Sequence, residues 1–323
     1  MNKGKSILIA GGLGFIGYNL AMHMQKDGYA VYVIDSKHLS SGYNPYHLSS
    51  LKKMSVHVIE DRISNIMKYE QILKKCTAVY NCAALISHLD SMKSPVVDIE
   101  NNTVEHVKFL EGMKNFPEKR LIYLSTRQIY GKQIVLPVTE DSPVMPVDVN
   151  GINKFATEMY HSLYSRLYDI NTLILRITNV YGPAMHIRDK RLSFIGWFIN
   201  RAVTNNHIEI YGDGSAKRDM LHISDLCTTL SKCIDSRHRG LLNIGGGETL
   251  NLNEMAKIIK GFNEKVDIEY KKFPTDLEKI DIGSFQFDDS KARNAIEHNP
   301  KTAFKEGISE CLDYFNKYKG YYL

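Results

Sequence analysis

A glycine-rich segment, Gly11-Gly-Leu-Gly-Phe-Ile-Gly17, lies between a short apolar run at residues 6–10 and a helical pattern at about residues 15–26. It matches G-x-G-x-x-G from Gly12 or G-x-x-G-x-x-G from Gly11. In either register the glycines allow a tight turn and a close approach to a pyrophosphate, and the helix N-terminus offers unpaired N–H groups to that anion. The segment therefore predicts a dinucleotide-binding turn that includes Gly14, Phe15 and Ile16.

Asp35 ends the second strand-like run, residues 29–34, and follows Gly17 by 18 positions. A carboxylate near this spacing is expected to bond the ribose hydroxyls of the adenosine. Because a carboxylate there would repel a 2′-phosphate, the turn and the acid together predict NAD rather than NADP. The alternative is a glycine-rich strand–helix corner followed by a solvated Asp35.

These residues must be positioned by the elements around them, and the first half of the chain alternates buried strands with helices. Further strand-like runs lie at residues 56–59, 78–82, 120–125 and 171–176, and helical patterns lie at about 101–113 and 151–168. Near-continuous apolar strands of this kind predict an α/β fold, with a Rossmann-like, doubly wound parallel sheet covered on both faces.

After residue 179 the strands become shorter and glycine, proline, aspartate and asparagine more frequent, which predicts a smaller C-terminal lobe. Two segments, 220–224 and 241–245, are expected to return to the first lobe, and a terminal helix is expected near 303–317. We therefore predict a coenzyme domain of residues 1–178 plus about 220–246. Residues 179–219 and 247–323 would form the substrate-binding lobe.

Composition excludes several classes of protein. The 323 residues are 43% apolar and 24% charged, and 41 basic against 36 acidic residues give a net charge of +5, too mild to indicate a nucleic-acid partner. No apolar run is long enough to span a bilayer, and residues 1–10 lack a signal-peptide pattern. Five scattered cysteines favour inert packing in a reducing, cytoplasmic setting over zinc, haem or disulfides. No metal site is expected.

Several ordered motifs lie along most of the chain. They are His38-Leu-Ser-Ser-Gly42, Asp61-Arg62, Asn81-Cys-Ala-Ala84, Ser125-Thr-Arg-Gln-Ile-Tyr-Gly131, Asn179-Val-Tyr-Gly-Pro183, Tyr211-Gly-Asp-Gly214 with Arg218, Asp219 and Asp225, Asn243-Ile-Gly-Gly246, and Asp289-Ser-Lys-Ala292. Together with the glycine turn, this series resembles the extended short-chain dehydrogenase/reductases, within them the NAD-dependent nucleotide-sugar epimerase/dehydratase family.

The resemblance implies hydride transfer between a sugar carbon and the nicotinamide, with a Ser or Thr orienting the sugar hydroxyl and a Lys holding the nicotinamide ribose. Thr126 and Lys154 occupy these positions. The implied NAD contacts are Gly11, Gly14, Phe15, Ile16, Gly17, Asp35, Ser36, Ser41, Gly42, Asp61, Arg62, Cys82, Ala83, Ala84, Ser125 and Lys154. The implied contacts to a nucleotide-diphosphate sugar are His88, Thr126, Arg127, Asn179, Arg188, Arg191 and Arg218.

One departure from the family concerns the residue that takes the proton from the sugar hydroxyl. The Y-x-x-x-K motif is matched by Asn150-Gly-Ile-Asn-Lys154, so Asn150 stands where the family has its catalytic Tyr. A carboxamide cannot serve as a general base, and acid–base help is worth roughly 10²–10⁴-fold in rate. Other groups that might act are Thr126, His88, Tyr130 and a desolvated Lys154, although His88 and Tyr130 also suit packing or surface roles.

A second departure narrows the reaction. Sugar 4,6-dehydratases of this family place Asp-Glu after the catalytic Thr, whereas this chain has Arg127 and Gln128. Dehydration is therefore disfavoured, leaving oxidation, reduction or epimerisation at a ring hydroxyl, most simply C4. The late Arg that many relatives carry near residues 275–283 is also missing, and this stretch offers only Lys279. A catalytically silent protein that binds NAD(H) and a nucleotide sugar is the rival hypothesis.

Assembly and setting are expected by analogy only. Relatives pair through helices equivalent to residues 101–113 and 151–168, which predicts a homo-oligomer, dimer or tetramer. Met113, Met159, Leu163 and Tyr164 are candidates for that face, although such residues also suit a core. Frequent Lys, Ile, Asn and Tyr indicate an AT-rich bacterial gene, and in that setting the family makes sugars for surface polysaccharide.

Overall fold

The structure, a computed structural model, describes residues 4–38 and 41–323. Its strands are β1 Ser6–Ala10, β2 Ala30–Asp35, β3 His57–Glu60, β4 Cys76–Asn81, β5 Arg120–Thr126, β6 Thr172–Ile177, β7 Asn179–Tyr181, β8 His207–Tyr211, β9 Lys217–His222, β10 Gly240–Ile244, β11 Glu248–Asn251 and β12 Asp267–Lys271. Seven of them form the central sheet in the order β10-β6-β5-β4-β1-β2-β3. All its pairs are parallel, which confirms the predicted doubly wound sheet.

Helices cover both faces of this sheet. They are α1 Phe15–Lys26, α2 Pro45–Lys53, α3 Glu70–Lys75, α4 His88–Lys93, α5 Pro95–Ile99, α6 Glu105–Met113, α7 Val149–Tyr168, α8 Phe194–Thr204, α9 Ile223–Lys232, α10 Leu252–Phe262, α11 Thr275–Glu278, α12 Ser290–Ile296, α13 Phe304–Lys317 and α14 Lys319–Tyr322. Short 3₁₀ segments occupy Ile63–Tyr69 and Arg127–Tyr130, and a π turn occupies Glu100–Val104. Together these elements bury the sheet between two helical layers.

The alternation of side chains along β1 shows why its run is continuously apolar. Ile7 and Ile9 pack into one hydrophobic cluster, and Leu8 and Ala10 pack into another on the opposite face of the sheet. Since all four are fully buried, neither face of this strand contacts solvent. A strand buried on both faces has the near-continuous apolar pattern that the sequence shows.

The strands after residue 178 build smaller sheets beside the central one. Parallel β7–β9 and antiparallel β9–β11 pairs form a three-stranded sheet, and β8 pairs with β12. The segment at 220–224, expected to rejoin the first lobe, supplies β9 to the small sheet and the start of α9, which packs on α1. The segment at 241–245 does join the central sheet, as β10 beside β6.

None of the helices within residues 4–38 and 41–323 combines the length and apolar character that crossing a bilayer requires.

A buried ion pair fastens α7 to the central sheet. Glu158 of α7 accepts from the Arg176 guanidinium of β6, with Nε 3.1 Å from Oε2, and each side chain is only 4% exposed. Removing one partner of such a pair leaves an uncompensated charge in the interior, whereas an apolar replacement of the whole pair is often tolerated. The pair therefore makes α7 sensitive to single substitutions at these two positions.

We expect Arg176→Met to destabilise the protein by about 3–5 kcal/mol, because Glu158 is then buried without a cation. The double variant Glu158→Leu/Arg176→Met should recover much of this loss. Urea unfolding followed by circular dichroism measures both. Lys74→Met, which breaks the exposed pair with Glu70, is the control and should leave the midpoint unchanged. An Arg176→Met midpoint equal to that of wild type would contradict the assigned role.

Candidate active site

The glycine turn after β1 is held at very short backbone distances. A Cβ on Gly17 would lie 2.3 Å from the carbonyl oxygen of Gly11, and a Cβ on Gly11 would lie 2.6 Å from the backbone nitrogen of Ala83. Gly11 also adopts φ +76°, which is strained for residues with a side chain. Only glycine fits these two positions, and the cradle they leave open at the start of α1 suits a phosphate group.

Asp35 ties the turn to the end of β2. Its carboxylate accepts from the backbone N–H of Leu13 at 2.9 Å and from that of Lys37 at 2.8 Å. Burial raises the pKa of Asp35, although both backbone donors oppose the shift. The remaining oxygen lone pairs can accept from a ribose diol, whereas a 2′-phosphate would meet a carboxylate. The turn and Asp35 thus fit an unphosphorylated dinucleotide.

A crevice opens along this turn, and we call it the glycine crevice. Twelve of the predicted coenzyme contacts line it, namely Gly11, Gly14, Phe15, Ile16, Gly17, Asp35, Ser36, Ser41, Arg62, Cys82, Ala83 and Ala84. The glycine crevice lies at the ends of β1, β2 and β4. The strand order of the sheet reverses between β1 and β4, and such a switch point is the usual ligand position in doubly wound folds. Residues 39 and 40 of the predicted 38–42 loop lie outside the described residues.

Four predicted coenzyme contacts do not line the glycine crevice. Gly42 lies close beside it, since a Cβ there would be 3.3 Å from Ile86, a lining residue. The Asp61 carboxylate accepts from Asn65 at 2.7 Å and from Tyr69 at 2.9 Å, and so fastens the 3₁₀ segment instead. The other two are Ser125 and Lys154, which belong to buried networks.

The Ser125 network also contains Tyr130. Ser125 Oγ donates to Glu158 Oε2 at 2.9 Å, and the Tyr130 hydroxyl donates to Asn243 Oδ1 at 2.8 Å while Arg176 contacts it. Tyr130 is fully buried and does not line the glycine crevice. The hydrogen bond of Ser125 and the burial of Tyr130 therefore favour structural roles, and Tyr130 is a poor candidate for the missing base.

Lys154 lies on α7, buried next to the glycine crevice. Its Nζ is 3.4 Å from the carbonyl oxygen of Leu124 and 5.3 Å from the centre of the Tyr123 ring. Burial lowers the pKa of Lys154 to about 8, against the opposing charges of Cys82 and Asp98. The side chain is thus desolvated, as a role for Lys154 as the general base would require.

Asn150, predicted to stand at the position of the family's Tyr, donates into a polar network. Its Nδ2 donates to the Leu85 carbonyl oxygen at 2.8 Å and to Asp98 Oδ2 at 3.1 Å, and Asn153 donates to the other Asp98 oxygen at 2.8 Å. Asn150 is buried and does not line the glycine crevice. These contacts give the amide a structural role, because it attaches α7 to Asp98 and the segment after β4, and a catalytic role for Asn150 stays a prediction.

A second cavity, of about 440 Å³, adjoins the glycine crevice, with Phe15 and Ile86 lining both. We call it the arginine cavity. Six of the seven predicted substrate contacts line it, namely His88, Thr126, Arg127, Asn179, Arg191 and Arg218. Thr126 Oγ1 accepts from the backbone N–H of Gln128 at 3.3 Å, which leaves its hydroxyl hydrogen to donate to a ligand. Predicted coenzyme and substrate residues therefore meet across one junction.

Two guanidinium groups share the arginine cavity. Arg127 donates to Asn179 Oδ1 at 2.8 Å, and Arg218 lies 3.2 Å from Asp281. Burial, together with Arg218, lowers the pKa of Arg127 to about 9, and burial also lowers the pKa of Arg218. Two desolvated guanidinium groups in one cavity would be stabilised by an anionic ligand, and a planar guanidinium suits phosphate oxygens.

Arg188 is the seventh predicted substrate contact. It lies outside the arginine cavity and donates to the backbone oxygen of Tyr321 at 3.2 Å, on the exposed surface. Arg191 does line the cavity, but carboxylates already hold it, with Asp90 at 2.7 Å and Asp189 in contact. Arg191 is therefore largely neutralised by its own neighbours.

Sequence reasoning missed several lining residues of the glycine crevice. Leu85 and Ile86 continue the motif that ends at Ala84, so extending that motif would have found them. Asn101 and Glu105 come from the helical segment at 100–113 and carry no local signal; Glu105 Oε1 accepts from Arg62 at 3.3 Å. Their position depends on packing against distant parts of the chain.

Comparison with known proteins agrees with this architecture. The model of the NAD dependent epimerase/dehydratase family matches residues 7–245. A UDP-glucuronate 4-epimerase of Thermodesulfobacterium geofontis is 27% identical over 317 residues, covering 95% of this chain and 95% of the relative.

Two solved structures are similar over nearly the whole chain. The UDP-glucose 4-epimerase of Thermotoga maritima, solved with UDP-glucose, has a TM-score of 0.87 at 27% identity, covering 97% of this chain and 99% of that one. The UDP-N-acetylglucosamine 4-epimerase of Methanobrevibacter ruminantium, in complex with UDP-N-acetylmuramic acid, has a TM-score of 0.89 at 26% identity, covering 98% and 99%. With its glycine crevice and the family-model match over residues 7–245, this chain belongs to the NAD dependent epimerase/dehydratase family.

Proposed function

We propose that this protein oxidises or epimerises a ring hydroxyl, at C4, of a nucleotide-diphosphate sugar, using NAD, and that it works in the cytoplasm on sugars for bacterial surface polysaccharide. The observation that carries the proposal is the junction at Phe15 and Ile86. There the crevice that fits a dinucleotide meets a cavity containing Thr126 and two arginines. The similar proteins reported above are named as 4-epimerases, which supports C4. All five cysteines are free thiols, which suits a reducing compartment.

NAD, when bound, accepts the hydride from the sugar carbon. In the proposed arrangement the glycine turn holds the pyrophosphate, Asp35 bonds the adenosine ribose, and Lys154 holds the nicotinamide ribose. Thr126 orients the reacting hydroxyl, and Asn179 with Arg127 and Arg218 binds the diphosphate. The coenzyme domain would consist of residues 1–178 with about 220–246, and the remainder would supply the substrate lobe.

Dehydration is disfavoured in this proposal. Gln128, at the position of the dehydratase Glu, donates through Nε2 to Asp148 Oδ2 at 3.0 Å. An amide fixed in this way neither takes nor gives a proton. Arg127, at the position of the dehydratase Asp, remains a cation near neutral pH because its pKa is about 9. Neither residue supplies the acid–base pair that removal of water needs.

The rival candidate is a protein that binds NAD(H) and a nucleotide sugar without turnover, for a structural or regulatory purpose. The specific observation in its favour is Asn150, whose amide is committed to Asp98 and to the Leu85 carbonyl oxygen.

Adding nucleotide sugars to the NAD-loaded protein should produce the near-ultraviolet absorbance of reduced nicotinamide, because the coenzyme and the sugar meet at the junction. UDP-, dTDP-, CDP- and GDP-linked hexoses are the probes, and chromatography of the sugar products separates epimerisation from net oxidation. Calorimetric binding of a sugar without any absorbance change or product would favour the silent rival. Neither binding nor turnover with any probe would contradict both candidates.

Replacing Asp35 by Asn should weaken NAD binding by roughly 10–100-fold, since hydrogen bonds to a charged acceptor contribute about 1.5–3 kcal/mol. Loss of the carboxylate should also narrow the preference for NAD over NADP. Fluorescence titration with both coenzymes measures the two effects. Asp27→Asn, on an exposed carboxylate beside His23, is the matched control. Unchanged affinity and selectivity in Asp35→Asn would exclude the ribose contact.

We also propose that the protein is a homo-oligomer that pairs through α7. Of the four predicted interface residues, Met113 and Tyr164 are corrected to core positions, at 0% and 8% exposure. Met159 is 53% exposed and lines a surface groove with Leu163, and Ile152 of the same helix is 52% exposed. A helix face with this much exposed apolar surface suits a self-complementary contact.

Met159→Glu should dissociate the oligomer, because the charge is desolvated at an isologous interface. Sedimentation equilibrium at several concentrations measures the assembly state. Ile134→Glu is the matched control, since Ile134 is 99% exposed elsewhere on the chain and its replacement should leave the assembly intact. A wild-type protein that sediments as a monomer at all concentrations would exclude the pairing.

A further inference from the structure

The proposed function requires a group that takes the proton from the sugar hydroxyl, and the residue at the family's Tyr position does not supply one. Asn150 lies outside both cavities, Tyr130 is fully buried, and Lys154 is assigned to the nicotinamide ribose in the proposed arrangement. A hydroxyl such as that of Thr126 is a poor base at neutral pH. The proton acceptor must therefore be found on another element that reaches the junction.

His88 begins α4, two residues after Ile86 of the junction, and it lines the arginine cavity. Its Nδ1 is shielded from solvent and lies 3.0 Å from Asp148 Oδ2, within ion-pair distance although the angle at the ring nitrogen is not that of a hydrogen bond. The side chain as a whole remains 32% exposed, whereas that of Asp148 is completely buried. One ring nitrogen thus faces a buried carboxylate, and the rest of the ring reaches the cavity.

Asp148 is held rigidly, because further donors fix both of its oxygens. Oδ1 accepts from the Gly151 N–H at 2.7 Å, which caps α7, and Oδ2 accepts from Gln128 Nε2 at 3.0 Å. Burial alone would raise the pKa of Asp148, but the contact with His88 and these two donors keep it below its ordinary value. Asp148 is therefore an ionised, immobile partner for the His88 ring.

We propose that His88, oriented by Asp148, accepts the proton of the reacting sugar hydroxyl in place of the absent phenol. This inference rests on the proposed function. A carboxylate 3.0 Å from Nδ1 favours the tautomer with hydrogen on that atom, and a small rotation of the ring would complete the hydrogen bond and leave Nε2 as the acceptor. Gln128 links the pair to Thr126, since its side chain holds Asp148 and its backbone N–H bonds Thr126 Oγ1. The carboxylate beside the base and the residue that orients the hydroxyl are thus held by one residue, Gln128.

The proposed step balances as an alcohol oxidation. The carbinol carbon gives up its hydrogen with the electron pair to oxidised NAD, the O–H proton moves to His88 Nε2, and the C–O bond becomes a carbonyl. The Asp148 carboxylate then faces an imidazolium, which it stabilises. Reduction runs the same transfers backwards, with the imidazolium as acid.

His88→Gln tests the base, because glutamine keeps polar reach without accepting the proton. We expect the rate of nicotinamide reduction after mixing to fall by roughly 10²–10⁴-fold. The calorimetric dissociation constant for the nucleotide sugar should change by less than about threefold, since no charged group of the diphosphate site is altered. His23→Gln is the matched control, because His23 forms an exposed pair with Asp27 at 3.4 Å. Imidazole added to His88→Ala should restore part of the rate.

A rate in His88→Gln within about threefold of wild type would overturn the proposal, and so would an equal loss of binding and rate, which marks a substrate contact only. If instead Lys154→Met abolished reduction while His88→Gln preserved it, Lys154 would be the base. Absence of both nicotinamide reduction and sugar product from the wild type with every sugar is a different failure, because it overturns the proposed function itself.

The positioning role of Asp148 has a readout that is independent of turnover. Asn is as good a helix cap as Asp, so Asp148→Asn should preserve the start of α7. In protein labelled with ¹⁵N-histidine, the nitrogen spectrum of His88 should show hydrogen fixed on Nδ1, and Asp148→Asn should mix the two tautomers. The same variant should lower kcat and leave KM unchanged. A His88 spectrum indifferent to Asp148→Asn would show that the contact does not orient the ring.

Discussion

The site depends on the bond between the Asp35 carboxylate and the backbone N–H of Leu13, 2.9 Å apart. This contact fastens the glycine turn after β1 to the end of β2, and the Cys82 N–H, which donates to the Ala10 carbonyl oxygen at 2.9 Å, fastens the start of the same turn to the end of β4. The cradle at the start of α1 is therefore fixed by three adjacent parallel strands before any ligand binds. The same carboxylate also lines the crevice with its remaining lone pairs, so that the position of the turn and the coenzyme preference both involve one side chain.

Helix α7 shows how the interior accommodates charge around that crevice. It meets three buried carboxylates, and each has its own type of partner: Asp148 has the helix N-terminus and Gln128, Asp98 has two amides, and Glu158 has Arg176. An isolated charge at any of these places would be strongly destabilising. The amide of Asn150 serves both Asp98 and the Leu85 carbonyl oxygen, which a single phenolic hydrogen could not do. The amide of Asn150 thus suits the buried Asp98 better than a phenol would.

The features that could be predicted from the sequence are local. The glycine turn, Asp35 and the parallel strands follow from short-range patterns, and the structure places the turn and Asp35 in one crevice. The features that were missed depend on long-range partners: Arg188 bonds the C-terminal Tyr321, Met113 and Tyr164 pack inward, and Asn150 pairs with Asp98 across 52 positions. Nothing in the local sequence around residue 220 shows that β9 pairs with β7 and β11 instead of the central sheet. Partner choice of this kind is decided by tertiary packing, which periodicity does not encode.

The start of α7 also supports the proposed proton acceptor, His88, on α4. Asp148 already caps α7 through Gly151, so the carboxylate that would orient His88 is one that the helix needs for its own start. The backbone N–H of Asn150, in the same first turn, donates to Ser91 of α4 at 3.2 Å, which fixes the two helices relative to each other. A base supported in this way requires no additional buried charge. The first turn of α7 therefore controls the geometry of the proposed proton transfer without carrying a phenol. It positions both the Asp148 carboxylate and α4, the helix that carries the His88 imidazole.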